Sequence, residues 1–576
     1  MPFTQASETT GPIASPGVLS SRLTTSTTPD DTTTTADVPR DDSPETLDEA
    51  KLERLGRQRP EALKNALTEF FFVFTMLLSM MMSEFYISGF NIILPSVAIE
   101  LDIPDSLRTW PAAVPNLSTA ALLLPFARLG DIYGARGVFL AGHAWALVWS
   151  VAAGFSKGTT MLIIFRALQG VGFAAFLPTG LTLLASTYRP GPRKNFMFSL
   201  YGSFAAIGFY FGIIIGAVAG EYLTWRWYFW IGAFFILAVV VIGVLTIPGS
   251  VDTVDPDAKM DWLGMATIVP GLALVVYAFT DGGHAPQGWR TPYIFVTFII
   301  GAILLGLAVY IQGWVAEQPL MPPAVFHAKY MKRLSIVLFC FYGVFGLYLF
   351  YASYYLENVL GNTPILTAAW FTPMALGGMI LAIVGGLILH ILPGKLLMTI
   401  SGFGFLLSGL LIAIIPDQSD SGQSRTVIYW AYVFPAMICA TLGVDITYTV
   451  TNIFITTSMP RKHQAAAGGL INSLLYLGIA FWLGIGELAV ATTVNSHNGD
   501  LSPRQQYRIG FWTAVGLAGV AMIIMMTIKL GKASSELTAD EKAELAREIQ
   551  MSESGGAATS SGPATGASNG TRQEEV

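Results

Sequence analysis

Charge is what this sequence has least of. Asp, Glu, Lys and Arg make up 12% of its 576 residues, where an ordinary soluble domain carries roughly 25%. Hydrophobic residues fill 53% of the chain and the mean hydropathy is +0.56, so a soluble globular fold is excluded and a membrane protein is expected. Cysteine is nearly absent: Cys340 and Cys439 both fall inside apolar runs and imply no disulfide framework. The histidines (His143, His284, His327, His390, His463 and His497) are scattered without metal-ligand spacing, and there is no nucleophile elbow or redox pair. The chain also lacks the G-x-x-x-x-G-K-[ST] loop of a nucleotide-driven pump. Neither a catalytic centre nor a metal or other cofactor is expected. Nucleic acid is not an expected partner, because the net charge is −6 and the basic residues sit in short clusters beside apolar runs.

What the chain has instead is long apolar runs. Residues 1–66 are rich in Ser, Thr, Pro and Asp and read as a disordered tail rather than a cleaved signal peptide. Fourteen apolar runs follow, the first beginning near Phe70 and the last near Ile509. Each is roughly 18–28 residues long, enough to cross a ~30 Å hydrocarbon core as a helix. The runs starting at Trp262 and Pro292 are the weakest, being interrupted by Pro270 and several glycines. An even number of spans puts both ends of the chain on one side. Loops on that side hold about twelve Lys and Arg against about seven opposite, and Lys51, Arg54, Arg57, Arg59 and Lys64 add to the bias. Both termini are therefore expected in the cytoplasm. There the triplet at Asn569 would stay unglycosylated, and the segment opening at Ser535 in the tail over 531–576 reads as a solvated helix.

Two internal echoes suggest how the spans are grouped. "YRPGPRKNFMFSLYGSFAAIGF" from Tyr188 leads into span five, and "MPRKHQAAAGGLINSLLYLGIAF" from Met459 leads into span thirteen. The turn "ARLGDIYGARG" from Ala127, after span two, has a degenerate counterpart, "GGLILHILPGK" from Gly385, after span ten. Both offsets are eight spans. Two six-helix halves, at 67–249 and 331–530, with two further spans inserted over 250–330, account for that offset.

Charges inside the spans point to function, because a charge near the bilayer centre costs roughly 2.5–3.5 kcal/mol on insertion scales and usually faces a wet cavity. Glu84 in span one, Arg166 in span four and Asp445 in span twelve stand out. Glu84, Ser88 and Asn91 share one helical stripe, and Asp445, Thr449, Asn452 and Thr456 share another. The alternatives are a structural tie for Arg166, bonded to backbone carbonyls, and a helix-packing role for Glu84. In span nine Tyr348, Tyr351 and Tyr355 lie on one face, suited to stacking on a planar or amphipathic ligand. An aromatic belt at the membrane interface is the competing reading, and Tyr355 is assigned to it. Gly208, Gly212, Gly216 and Gly220 form a ladder that lets another helix approach closely.

The turn after span two, with Gly130, Asp131, Gly134 and Arg136, resembles the hallmark loop of the major facilitator superfamily. "RALQGVGFAA" in span four, with Arg166, Gln169, Gly170, Gly172 and Ala174, resembles a second hallmark. "LTWRWYFWI" from Leu223 is similar to a motif of the fourteen-span drug:proton antiporters. The Ser/Thr-rich tail and "GVDITYTVTNIFITTSMP" resemble the fungal members, of the aminotriazole-resistance type. The resemblance implies an all-α polytopic membrane protein with the major facilitator fold, two six-helix halves plus two inserted helices. It implies a proton-coupled exporter of small organic compounds, working by alternating access as a monomer in the plasma membrane, with the vacuolar membrane as the alternative. Spans one, four, nine and twelve would line the cavity. Proton coupling and the central cavity would then fall to Glu84, Asn91, Arg166, Gln169, Asp445 and Asn452, and substrate contacts to Tyr348, Tyr351, Thr449 and Asn472. Asp131 and its turn would latch the halves in the outward-facing state.

The sequence departs from the family in two places. The acidic residue of span one usually lies about two positions later, where this chain has Tyr86, and the glycine ladder has Ile213 and Ala217 where the antiporter motif has proline and glycine. Uptake of a small solute, or a non-transporting sensor on the same fold, are the alternatives in function.

Overall fold

The computed structural model describes residues 58–188, 192–249, 253–388, 392–417, 422–459 and 461–530. Both tails lie outside the described residues, and with them the helix opening at Ser535 and Asn569. So do Arg189 and residues 389–391 of the second turn echo; the side chain of Thr456 is likewise not described.

Apolar runs inside a bilayer have no water to satisfy their backbone, so each must close its own hydrogen bonds as a helix. Among the described residues fourteen helices are long and apolar enough to cross a membrane. They are α1 (Ala66–Glu100), α2 (Trp110–Tyr133), α3 (Ala135–Gly154), α4 (Thr159–Thr187), α5 (Pro192–Tyr222), α6 (Arg226–Thr246) and α7 (Trp262–Asp281). There follow α8 (Pro292–Tyr310), α9 (Met331–Tyr354), α10 (Pro364–Ile388), α11 (Gly394–Ala413), α12 (Phe434–Ser458), α13 (Arg461–Ser496) and α14 (Pro503–Met526). The runs at Trp262 and Pro292 both form full spans, and Pro270 is carried inside α7.

Ends are set by local chemistry. Asn65 caps α1 by accepting from Thr68 N–H at 2.7 Å, and Ser502 opens α14 with a capping box completed by Gln505. Proline inside a span leaves the carbonyl four residues earlier to be satisfied by a neighbour: Pro115 has no N–H for Pro111 O, which accepts from Arg166 Nε at 3.1 Å. Thr119 Oγ1 donates to Pro115 O at 2.8 Å and to Gly170 O at 3.1 Å, stitching α2 to α4 where Gly170 meets the Pro115 backbone.

Helix pairing repeats with an offset of eight. The pairs α1/α5, α2/α4, α3/α4, α3/α6 and α1/α6 recur as α9/α13, α10/α12, α11/α12, α11/α14 and α9/α14. Two six-helix halves thus share one internal plan, and α7 and α8 pack mainly on each other. Between the halves the contacts are α2 with α13 and α5 with α10, with lesser ones from α1 to α9 and α10; α7 lies along the α2/α13 seam. With fourteen spans, the described ends share one face, called here the terminal face; the other is the far face. At the far face the halves touch. Ile365 N–H donates to Glu221 Oε2 at 2.8 Å, and the Arg108 guanidinium lies 5.6 Å from the Tyr354 ring.

Candidate functional site: two carboxylates between the halves

The glycine ladder decides which face of α1 is used for packing. A Cβ on Gly208, Gly212 or Gly216 would stand 2.3, 2.6 and 2.6 Å from the carbonyl oxygens of Met81, Phe85 and Gly89 respectively. The α5 glycines therefore let α1 approach backbone to backbone. Gly220 faces Pro364 of α10 at an ordinary 3.6 Å. Ser88 turns into this contact, donating to Phe209 O at 2.6 Å, and Asn91 donates to its own helix at Ile87 O. Of the α1 stripe, Glu84 remains half-buried, and its carboxylate has no hydrogen-bond or ion-pair partner among the described residues.

Asp445 on α12 is in the same condition, half-buried with its carboxylate unpartnered among the described residues. Its Oδ2 lies 3.1 Å from where a Cβ on Gly378 of α10 would sit, and Ala206 of α5 is 3.6 Å from that point. Glycine and alanine here leave room for the carboxylate at the boundary between the halves. Glu84 lies within electrostatic reach of Asp445 and of four tyrosines: Tyr201 on α5, Tyr342 on α9, Tyr448 on α12 and Tyr476 on α13. Tyr342 is completely buried, and its hydroxyl has no partner among the described residues. Thr449, Asn452 and Asn472, all half-buried, donate to carbonyls one turn back on their own helices.

Arg166 is elsewhere. It is 1% exposed and lies within the first half, where Nε donates to Pro111 O at 3.1 Å, Nη1 to Gln169 Oε1 at 2.8 Å and Nη2 to Tyr86 O at 3.3 Å. Its plane stacks 4.0 Å from the Phe90 ring, and Gln169 passes the chain on to Ser150 Oγ at 2.7 Å. The guanidinium thus ties α1, α2, α3 and α4 together, and no carboxylate pairs with it among the described residues. This is the arrangement that the structural-tie alternative describes. Tyr86, standing where the family's acid usually stands, supplies one of the carbonyls.

The span-nine tyrosines diverge. Tyr348 donates to Met437 Sδ at 3.2 Å, toward α12. Tyr351 packs against Gly486 of α13 and Gly510 of α14, inside the second half. Tyr355 is 1% exposed and meets Phe511, so it belongs to the interior and not to an interfacial belt.

A family profile described as the Major Facilitator Superfamily matches residues 73–483. This chain belongs to that superfamily. Among its relatives it is 31% identical to the "Low affinity ammonium transporter" of Saccharomyces cerevisiae, over 73% of this chain and 80% of that one. It is 30% identical to "Efflux pump terJ" of Aspergillus terreus, over 83% and 90%. The "Aminotriazole resistance protein" of Saccharomyces cerevisiae is 28% identical over 81% and 85%, in line with the fungal drug-efflux group named from the motifs.

The superfamily's hallmark turn joins α2 to α3 on the terminal face. Gly134 has φ +90°, a conformation that favours glycine, and a Cβ on Gly130 would meet Thr179 of α4 at 2.8 Å. Arg136 Nη2 donates to Val244 O at 3.2 Å. The Asp131 carboxylate is 44% exposed, with Arg128 at 3.9 Å and no partner from the second half among the described residues. Nearby, Arg193 grips Glu69 through Nε at 3.0 Å and Nη2 at 2.7 Å, and Tyr188 donates to the same carboxylate at 3.0 Å. Burial, and then the neighbouring Glu69 charge, push the Tyr188 hydroxyl well above its usual range.

Sequence reasoning passed over Tyr201, Tyr342, Tyr448 and Tyr476. A signal existed for two of them: Tyr201 and Tyr476 are the Leu-Tyr tyrosines of the echo, one on each of the corresponding helices α5 and α13.

Proposed function

We propose that this chain is a proton-coupled secondary transporter that exports small amphipathic organic compounds bearing a positive charge, by alternating access between its two six-helix halves. One observation carries the reading: Glu84 and Asp445, one from each half, lie within electrostatic reach of each other with neither carboxylate neutralised by a protein partner among the described residues. A carboxylate facing the space between the halves can be neutralised by a proton or by a cationic substrate, but not by both. Competition for that charge is the simplest form of exchange. The four surrounding tyrosines offer ring faces, which attract cations by about 0.5–2 kcal/mol each depending on desolvation, and hydroxyls that hydrogen-bond polar groups.

Asp445 is the coupling residue in this scheme, and Glu84 shapes the field around it. Asn91, Asn452, Thr449, Asn472 and Tyr348 line the path at its margins, and Asp131 docks on the second half when the terminal face closes. The terminal face is cytoplasmic on the lysine and arginine bias, the host membrane is the plasma membrane, and the working unit is the monomer. Names of relatives such as "Efflux pump terJ" support the export direction. A second reading, uptake of a small cation, is favoured by the relative named a low affinity ammonium transporter, since the same two carboxylates would receive an ammonium ion.

The test is a panel of labelled organic cations and methylammonium in proteoliposomes with an imposed pH gradient, for wild type, Asp445→Asn and Glu84→Gln. Asp445→Asn is expected to lose accumulation against a gradient by more than about tenfold, equal to about 1.4 kcal/mol or more in coupling, while downhill exchange survives. Accumulation of cations down the proton gradient and not against it would favour uptake. Wild-type flux indifferent to a protonophore would overturn proton coupling altogether.

A further inference from the structure

The polar fastenings of the α7–α8 hairpin run to different halves at its two ends, although on the terminal face its second linker also packs on α9 and α13. On the terminal face its linkers grip the α2–α3 turn of the first half. Asp255 N–H donates to Asp131 O at 2.8 Å, and Ala135 N–H donates to Thr253 Oγ1 at 2.9 Å. Arg128 Nη2 donates to Gln318 Oε1 at 3.0 Å, and Gln318 Nε2 in turn donates to Asp257 O at 2.8 Å, so both linkers are bound into one knot.

On the far face the polar fastenings go to α13 of the second half. His284, in the α7–α8 loop, places Nε2 2.9 Å from Oε1 of Glu487, with the two side chains only 18% and 8% exposed. Asn495 Nδ2 donates to Gly283 O at 3.1 Å. Between these ends Val276 of α7 packs with Leu117 of α2 and Ala480 of α13, directly over the seam. Toward the first half the far-face end of the hairpin meets the Trp110 ring, 5.9 Å from that of Tyr277.

We propose that the hairpin is a diagonal brace between the halves, fixed to the first half at the hallmark turn and to α13 at the far face, so that opening the far face requires the His284–Glu487 pair to part. The proposal rests on the alternating-access reading. The hairpin's far-face end has two polar ties to α13. One is the neutral bond to the Gly283 carbonyl, and the other joins two ionisable side chains. Opening the far face therefore costs the His284–Glu487 contact together with the Asn495 tie.

The experiment uses the full-length protein in nanodiscs, with Cys340 and Cys439 replaced by alanine and Ser96→Cys as reporter. Ser96 Oγ lies 3.7 Å from the Cβ position of Gly220, which also faces Pro364 across the far-face seam. The rate of maleimide labelling then reads far-face opening. His284→Ala, Glu487→Gln and Gln318→Ala are each expected to raise it roughly fivefold or more, the lower range of conformational couplings. The His284→Ala/Gln318→Ala pair is expected to label no faster than the faster single variant, because a brace cut at one end is already cut.

His284→Gln, which keeps a hydrogen-bonding side chain, is expected to label at a rate between wild type and His284→Ala. Single variants labelling at the wild-type rate would overturn the proposal, and so would effects that multiply, since independent sites add in free energy. Labelling needs no transport, so a protein that showed the brace yet moved no substrate would overturn the transport reading alone.

Discussion

Two places in this protein carry charge deep within the membrane spans, and they are built on opposite principles. Arg166 is enclosed by its own half: three acceptors take its hydrogens and a phenylalanine covers its face. Glu84 and Asp445 stand at the boundary between halves, half-buried and without protein partners among the described residues. The same expense of placing charge in a bilayer yields a rivet in the first case and an open valence in the second. Location in a span does not distinguish them; satisfaction does.

The sharpest way to break this contrast is Arg166→Ala. It strands the Pro111 carbonyl, for which Pro115 offers no N–H, and the Gln169 amide oxygen in a site closed to water, and each buried unsatisfied group costs about 1–3 kcal/mol. A loss of about 3 kcal/mol or more is expected, seen as low yield and early thermal unfolding in a detergent melt, with Arg166→Lys intermediate because the planar fork is lost. Asp445→Asn is the counterpart. It should melt with the wild type while failing to accumulate substrate. Wild-type melting of Arg166→Ala together with lost transport would move Arg166 back among the cavity charges.

Much of the fold could be read from the chain before any coordinates, because each span is declared by its own length and composition. The eight-span offset of the echoes likewise anticipates the repeated pairing of α1/α5 with α9/α13. The candidate site was legible only in part. Helical periodicity says that Glu84, Ser88 and Asn91 share a stripe. It does not say that Ser88 turns to α5 while Glu84 stays open, which depends on where Gly208 and Gly212 seat α1. Tyr342 and Tyr448 had no local signal at all. In apolar spans a tyrosine bordering a cavity and one filling a core look alike, and only the meeting of α1, α9, α12 and α13 separates them. For the same reason Tyr351, chosen for its spacing, lies in the packed interior of the second half.

A smaller effect sharpens the packing side of the comparison. Gly208→Ala places a methyl 2.3 Å from Met81 O, a backbone atom that cannot step aside. It must push α1 from α5 at a cost of about 1–3 kcal/mol, typical of overpacking. Gly220→Ala meets nothing closer than 3.6 Å and is expected within about 0.5 kcal/mol of wild type. Thermal melts of the two variants side by side check this. Equal melting would mean that the ladder is not what seats α1, and the orientation of Glu84 would need another cause.

The smallest expected change probes the open side of the site. Tyr342→Phe removes one hydroxyl, and that hydroxyl is fully buried with no partner among the described residues, within electrostatic reach of both Glu84 and Asp445. A buried polar group lacking a hydrogen bond is a cost to the fold, so its removal should leave stability unchanged or raise it by up to about 1 kcal/mol. If the hydroxyl waits for a ligand, the same change should weaken substrate binding by roughly fivefold, the loss of one neutral hydrogen bond of about 1 kcal/mol, with the proton dependence of transport intact because both carboxylates remain. Melting temperature and apparent Km, measured together, separate the outcomes. Higher stability with weaker binding places the Tyr342 hydroxyl among the ligand contacts. Higher stability with unchanged binding would confine the working surface to the carboxylates and the other three tyrosines. Lower stability would mean that the hydroxyl is satisfied within the fold, and the site would then be less open than the contrast with Arg166 requires.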